Sequence, residues 1–156
     1  QGGMNDWLAD ALGIVDVAPL VANKDAVTGL GRIGRLNQPI TVAAYAEKIR
    51  DIFQVKAVRV IANDLQKTIQ KVAVLGGDGG RWWRTAQLLG ADAYITADLY
   101  YHVGHDILAS DFVVIDPDHH MEAIANDRMA AKVKTWFGES LMVFATRTNT
   151  DPYTYV

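Results

Sequence analysis

The stretch KVAVLGGDGGRWWRTAQLLGADAYITADLYYHVGHDILASDFVVIDPDHHME, residues 71–122, alternates short apolar runs with helical segments. The runs KVAVL (71–75), DAYIT (92–96) and FVVID (112–116) are rich in β-branched and aromatic residues, which reads as three strands. RWWRTAQLLG (81–90), a segment from about His102 to Ala109 and another from about His119 to Trp136 carry helical spacing. A βαβαβα order in this C-terminal half predicts a parallel sheet with right-handed crossovers, hence an α/β fold, a layered sheet with helices on both faces. Ligands of such sheets sit beyond the carboxyl ends of the strands. That rule gathers Gly76, Gly77, Thr96, Asp98 and Asp116 on one rim.

All four histidines, His102, His105, His119 and His120, fall in the same stretch, among Asp98, Asp106, Asp116, Asp118 and Glu122. Imidazole and carboxylate together suit divalent ions, so the cluster reads as a metal site. The chain has no cysteine, so an ion would be held by nitrogen and oxygen alone, and the composition fits a reducing cytoplasm. His119 and Glu122 stand three apart at a predicted helix start and can project from one face. Met121, Ala125, Met129, Val133 and Trp136 are expected to form the core stripe of that helix. Asp98 and His102 supply a second polar pair, with His105 and His120 in supporting or surface positions.

Upstream, Asn5 is expected to cap a helix built on Trp7, Leu8, Ala11 and Leu12 and stopped by Gly13. Residues 14–38, with Pro19 and the glycine-rich GLGRIG, read as loop with one edge strand. Thr41 opens a second helix to about Phe53, and KAVRVIA (56–62) is a strand candidate. Gly29, Gly31 and Gly34 spell the dinucleotide fingerprint but lack a preceding strand and a following helix, so a glycine-rich edge segment is preferred. Arg32 and Arg35 on it are expected as exposed turn arginines, within reach of an anion. GGDGG (76–80) is placed either to cradle an anion at a helix start or to make a tight turn. In RWWR only one of Trp82 and Trp83 can face the sheet squarely, leaving the other for a partner subunit or a stacked base.

At 156 residues, half of them apolar and with a net charge of −3, the chain is sized for a single α/β unit without a general nucleic-acid footprint. No apolar run approaches membrane-spanning length, and no signal peptide is recognisable, so no membrane partner is expected. The start at Gln1, without methionine, suggests an upstream segment.

VAVLGGDGG, GADAYITADLYYHVGHD and VVIDPDHHMEAI, with GGMNDWLADALG, GLGRIGRL and TNTDPYTYV, resemble the NIF-three-like family of dinuclear metal-centre proteins, many of which carry the name GTP cyclohydrolase I type-two homologue. The resemblance implies that His119 and Glu122 are metal ligands and that Asp98 and His102 line the same pocket as candidate catalytic groups. It implies two divalent ions per intact subunit, with zinc, manganese, iron and magnesium undistinguished, and a cytoplasmic homo-hexameric ring. It also makes this chain the C-terminal part of a longer protein, without the family's N-terminal paired-histidine region. Asp118, Ala97 and Asp78 depart from the family pattern, the first two standing where glycine is usual. Two functions follow as expectations. One is a metal-dependent hydrolase, of cyclohydrolase or phosphoesterase type, acting on a nucleotide-like substrate. The other is a non-catalytic metal-binding ring that engages nucleic acid or protein in a regulatory role.

Overall fold

In the computed structural model, which describes residues 2–156, the three predicted strands lie side by side and parallel. They are β4 (Thr68–Asp78), β5 (Ala93–Ala97) and β6 (Val113–Asp116), within one six-stranded sheet. The sheet begins with β1 (Ile14–Ala22), antiparallel to β2 (Gly29–Thr41), which is in turn antiparallel to β4, and ends with β3 (Arg59–Ile61), giving the order β1-β2-β4-β5-β6-β3. Strand β3 runs antiparallel to β6 with Arg59 opposite Asp116.

Alternation along β4 sends successive side chains to two cores, since neighbouring strand residues face opposite ways. Val72 and Val74 join Ile95 and Ile115 beneath α1 (Met4–Ala11) and α2 (Val42–Phe53), with Leu8, Tyr45, Ile49 and Met121. Ala73 and Leu75 join Tyr94 and Val114 on the other face, beneath α3 (Trp83–Leu88) and α4 (Tyr101–Ala109). The helices therefore cover both faces. Trp83 is the inward tryptophan, 4% exposed and stacked 6.2 Å from Phe112, while Trp82 is only partly buried.

Residues 14–38 correct the expected loop. They form a hairpin of two long strands whose register shifts between Val15 and Ala18, and the ladder from β2 to β4 shifts between Arg35 and Ile40. These irregularities break the two-residue alternation that would have marked strands in the sequence. Pro19 is tolerated because β1 is the outermost strand. GLGRIG lies in β2, between β1 and β4, where Gly29 and Gly34 admit the carbonyls of Val21 and Val15.

Helix α1 starts one residue after Gly3, so Asn5 lies inside it and is not its cap. The Asp6 carboxylate accepts from the Gly2 and Gly3 amides instead. Thr41 does cap α2, its hydroxyl accepting from Ala44 N. The last predicted helix starts as a 3-10 turn, His119–Ile124, and becomes α5 at Ala125–Phe137. Three residues per turn shift the helical phase. Only Met121 of the expected stripe reaches the core: α5 buries no residue, and Met129 and Trp136 are 47% and 61% exposed. Among the described residues no helix is long and apolar enough to cross a membrane.

Candidate metal site

Two loops at the carboxyl rim of the parallel strands bring three of the predicted residues together. Asp98 follows β5 with a positive φ of 55°, and Asp118 follows β6 with φ 70° and ψ 160°, so the chain turns sharply before His119. His119 Nδ1 lies 2.6 Å from Asp98 Oδ2, and its Nε2 lies 3.3 Å from Glu122 Oε2. A carboxylate can only accept, so Nδ1 donates its proton to Asp98, and Nε2 stands beside the Glu122 carboxylate. The hydrogen bond to Asp98, with the negative charge of Asp98 and Glu122, raises the His119 pKa above its ordinary 6.5.

The floor under this pair is the glycine turn. A β-carbon on Gly76 would stand 2.6 Å from Glu122 Oε1, and one on Gly77, at φ 66°, would stand 3.2 Å from the His119 ring. Glycine at both positions gives the imidazole and carboxylate their space. The turn is pinned from below, where Thr96 Oγ1 donates to Gly77 O, Tyr94 OH donates to Gly79 O, and Asn5 Oδ1 accepts from Gly76 N. GGDGG thus acts as a tight packing turn, and Asn5 serves the site in place of the helix end.

The Asp98–His119–Glu122 group opens into a cleft of about 1080 Å³. Its walls carry five carboxylates, Asp98, Asp118, Glu122, Asp127 and Asp151, against one guanidinium, Arg147, which is itself paired with Asp127 at 2.9 Å. Such a surface favours cations over free anions. His120 also lines it. The far wall is the C-terminal segment Thr146–Tyr153, which has no regular structure but is tied back by Tyr155 OH on Asp118 Oδ2 at 3.3 Å. That wall was invisible to periodicity.

His102 and His105 lie apart, on α4, with edge contacts to Tyr101 at 5.6 and 4.7 Å, and His105 lines a separate groove beside β3. The expected Asp98–His102 pairing gives way to Asp98–His119. Arg32 overturns its expectation as an exposed residue. It is buried, its Nε donates to Asp6 Oδ1 at 2.5 Å, and its Nη1 donates to the carbonyls of Gly29 and Gly31. This ion pair joins α1 to β2 and holds the Asp6 carboxyl below its usual range. Arg35 remains exposed.

The donor set fits an ion in part. Nε2 and Oε2 at 3.3 Å are spaced as two ligands of one ion with bonds near ~2.0–2.2 Å would be, and a carboxylate on Nδ1 is the usual support of a ligating histidine. Among the described residues no group of three or more His, Asp or Glu is arranged to hold an ion unaided. His119 and Glu122 are thus two potential donors set on a glycine floor.

The fold and rim thus define a mixed α/β protein with a histidine–carboxylate cleft at the carboxyl ends of its parallel strands. The chain belongs to the Duf34/NIF3 (NGG1p interacting factor 3) family, whose profile matches residues 1–152. It is 33% identical over 162 residues to a "GTP cyclohydrolase 1 type 2 homolog" of Streptococcus pneumoniae, covering 100% of this chain and 60% of that protein. A protein of the same name from Halalkalibacterium halodurans is 38% identical over 144 residues, covering 90% of this chain and 38% of that one. The chain therefore spans between about two fifths and three fifths of the length of these curated relatives. The fold is also that of a Bacillus cereus protein related to NIF3, with TM-score 0.92, 22% identity, and coverage of 100% of this chain and 70% of that one. A Staphylococcus aureus hypothetical protein superposes at TM-score 0.90 and 21% identity, over 99% of this chain and 64% of its own.

Proposed function

We propose that this chain supplies one side of a dinuclear metal centre, through His119 and Glu122, in a metal-dependent hydrolase acting on a nucleotide-like substrate. The observation that carries this reading is the Asp98–His119–Glu122 line on the Gly76–Gly77 floor, which leaves Nε2 and a carboxylate oxygen facing the same open space. When bound, divalent ions would supply Lewis acidity and activate a nucleophile. The chain's own residues do the rest. Asp98 accepts the Nδ1–H hydrogen bond and orients the His119 ring, the surrounding carboxylates draw cations into the cleft, and Thr146, Thr148, Asn149 and Thr150 add polar groups to its lining. Of the two expected proton carriers, Asp98 touches His119 and stays the candidate, whereas His102 on α4 does not line this cleft. The relatives' name points to a purine ring carbon as the point of attack, and phosphoester hydrolysis is the other chemistry two ions serve.

A second reading is a hexameric metal-binding ring that engages protein or nucleic acid without turnover. Self-association is favoured by one observation: Trp136, Phe137, Met142 and Phe144 are all exposed on α5 and the segment after it. An apolar patch of that kind is suited to cover by a second copy. RWWR contributes less than expected, since Trp83 is buried and Arg84 lies over its ring at 4.4 Å.

A turnover screen of the full-length protein with zinc, manganese, iron and magnesium, against nucleotides and phosphodiesters, decides between the readings. Metal-dependent product lost in His119→Ala and Glu122→Gln supports the hydrolase. Tight metal and ligand binding without product in every combination removes it and leaves the ring.

A further inference from the structure

Among the described residues, Asp116 is the fully buried carboxylate of the rim, 1% exposed, and it does not face the cleft that holds His119. Three donors converge on it. Its Oδ1 accepts from Asp118 N at 2.9 Å, and its Oδ2 from Leu99 N at 3.4 Å and from the Arg59 guanidinium. Leu99 directly follows Asp98, and Asp118 directly precedes His119. Both Asp98 and Asp118 have positive φ, a conformation that side-chain-bearing residues hold only when the surroundings dictate it. The two amides that fix these turns thus point at the two oxygens of one carboxylate, anchored at the end of β6 by its register with Arg59.

We propose that Asp116, with Arg59 as its countercharge, is the positioning residue of this site: it clamps the loops after β5 and β6 so that Asp98 meets His119 Nδ1. The chemistry requires an acid here. An asparagine has one acceptor oxygen and would turn an NH₂ toward either an amide or the guanidinium, so it cannot satisfy all three donors. A buried carboxylate is costly without compensation, which is why a cation sits beside it even though the Arg59 side chain is 66% exposed. The consequence for ion binding rests on the reading of His119 as a ligand; the clamp itself does not.

The test is Asp116→Asn, read on the imidazole. In mildly alkaline buffer, nitrogen-detected NMR of the wild-type chain should show His119 as one tautomer with Nδ1 protonated. Asp116→Asn should give a tautomer mixture and at least a tenfold loss of zinc affinity by calorimetry. Ile49→Val, which loosens the core under α2, should change neither. A single unaltered tautomer in Asp116→Asn overturns the proposal, as does an equal effect of Ile49→Val. If Asp116→Asn does not fold, Arg59→Gln at an exposed side chain carries the test, and an unchanged tautomer there overturns it too. Should the tautomer shift while neither protein binds zinc, the clamp stands and the metal reading fails.

Discussion

Asp118→Gly should make this protein more stable, although it deletes a hydrogen bond beside the site. Asp118 sits at φ 70° and ψ 160°, a region that only glycine occupies freely, and holding a side chain there costs about 1–3 kcal/mol. Against that relief, the variant loses the exposed hydrogen bond from Tyr155, about 0.5–1 kcal/mol. Greater freedom of glycine in the unfolded chain costs about another 0.5–1 kcal/mol. The balance is a gain of about 0.5 kcal/mol, or roughly 1–2 °C in Tm for a chain of this size. Asp118→Ala provides the contrast, since it loses the same hydrogen bond but keeps a β-carbon, and should fall about 0.5–1 kcal/mol below the wild type. Thermal and urea unfolding of the three proteins in one neutral buffer measures both changes. Equal stabilities for the glycine and alanine variants would show that the turn stores no strain, and the account of how the chain reaches His119 would fail with it.

Metal affinity should depend on His119 and not on His105: by calorimetry with zinc or manganese, His119→Ala loses most of the binding and His105→Ala little, because only His119 faces Glu122. Because Asp98 and Glu122 raise the His119 pKa, the imidazolium is favoured in the folded state, so its contribution to stability is complete below 6.5 and is lost as pH rises through the higher folded value. The same proton competes with an ion, so zinc affinity should fall on acidification with a midpoint above 6.5, and Asp98→Asn should move that midpoint down; an unmoved midpoint would detach Asp98 from the ligand. Trp83→Ala should cost about 3–5 kcal/mol in denaturant unfolding, whereas Trp82→Ala should cost far less, since only Trp83 packs on Phe112. On acidification, Asp6 contributes stability that is present above its unfolded value of 3.8 and lost as pH falls through its lowered folded value, so Asp6→Asn should flatten the acid limb of the stability curve.

Residues 71–122 carried the parallel half of the fold in their own periodicity. Three apolar runs separated by helical segments can bury both faces of a sheet in only one way, and β4, β5 and β6 follow it. His119 and Glu122 were equally legible, because spacing along one local segment decides which side chains can meet. The partner of His119 was not. Asp98 is four residues from His102 in the chain but meets the imidazole twenty-one residues away, a choice made by two positive-φ turns that composition does not reveal. Residues 14–38 failed for a related reason: bulges remove the alternation that identifies strands, and the ladders to β1 and β4 define β2. Arg32, Asn5, Gly76 and Gly77 each have an ordinary local reading as surface arginine, helix cap and turn glycines. Their roles, an ion pair across α1 and β2 and a floor beneath the imidazole, exist only where distant segments pack, since a contact between elements is a property of their arrangement and not of either sequence alone.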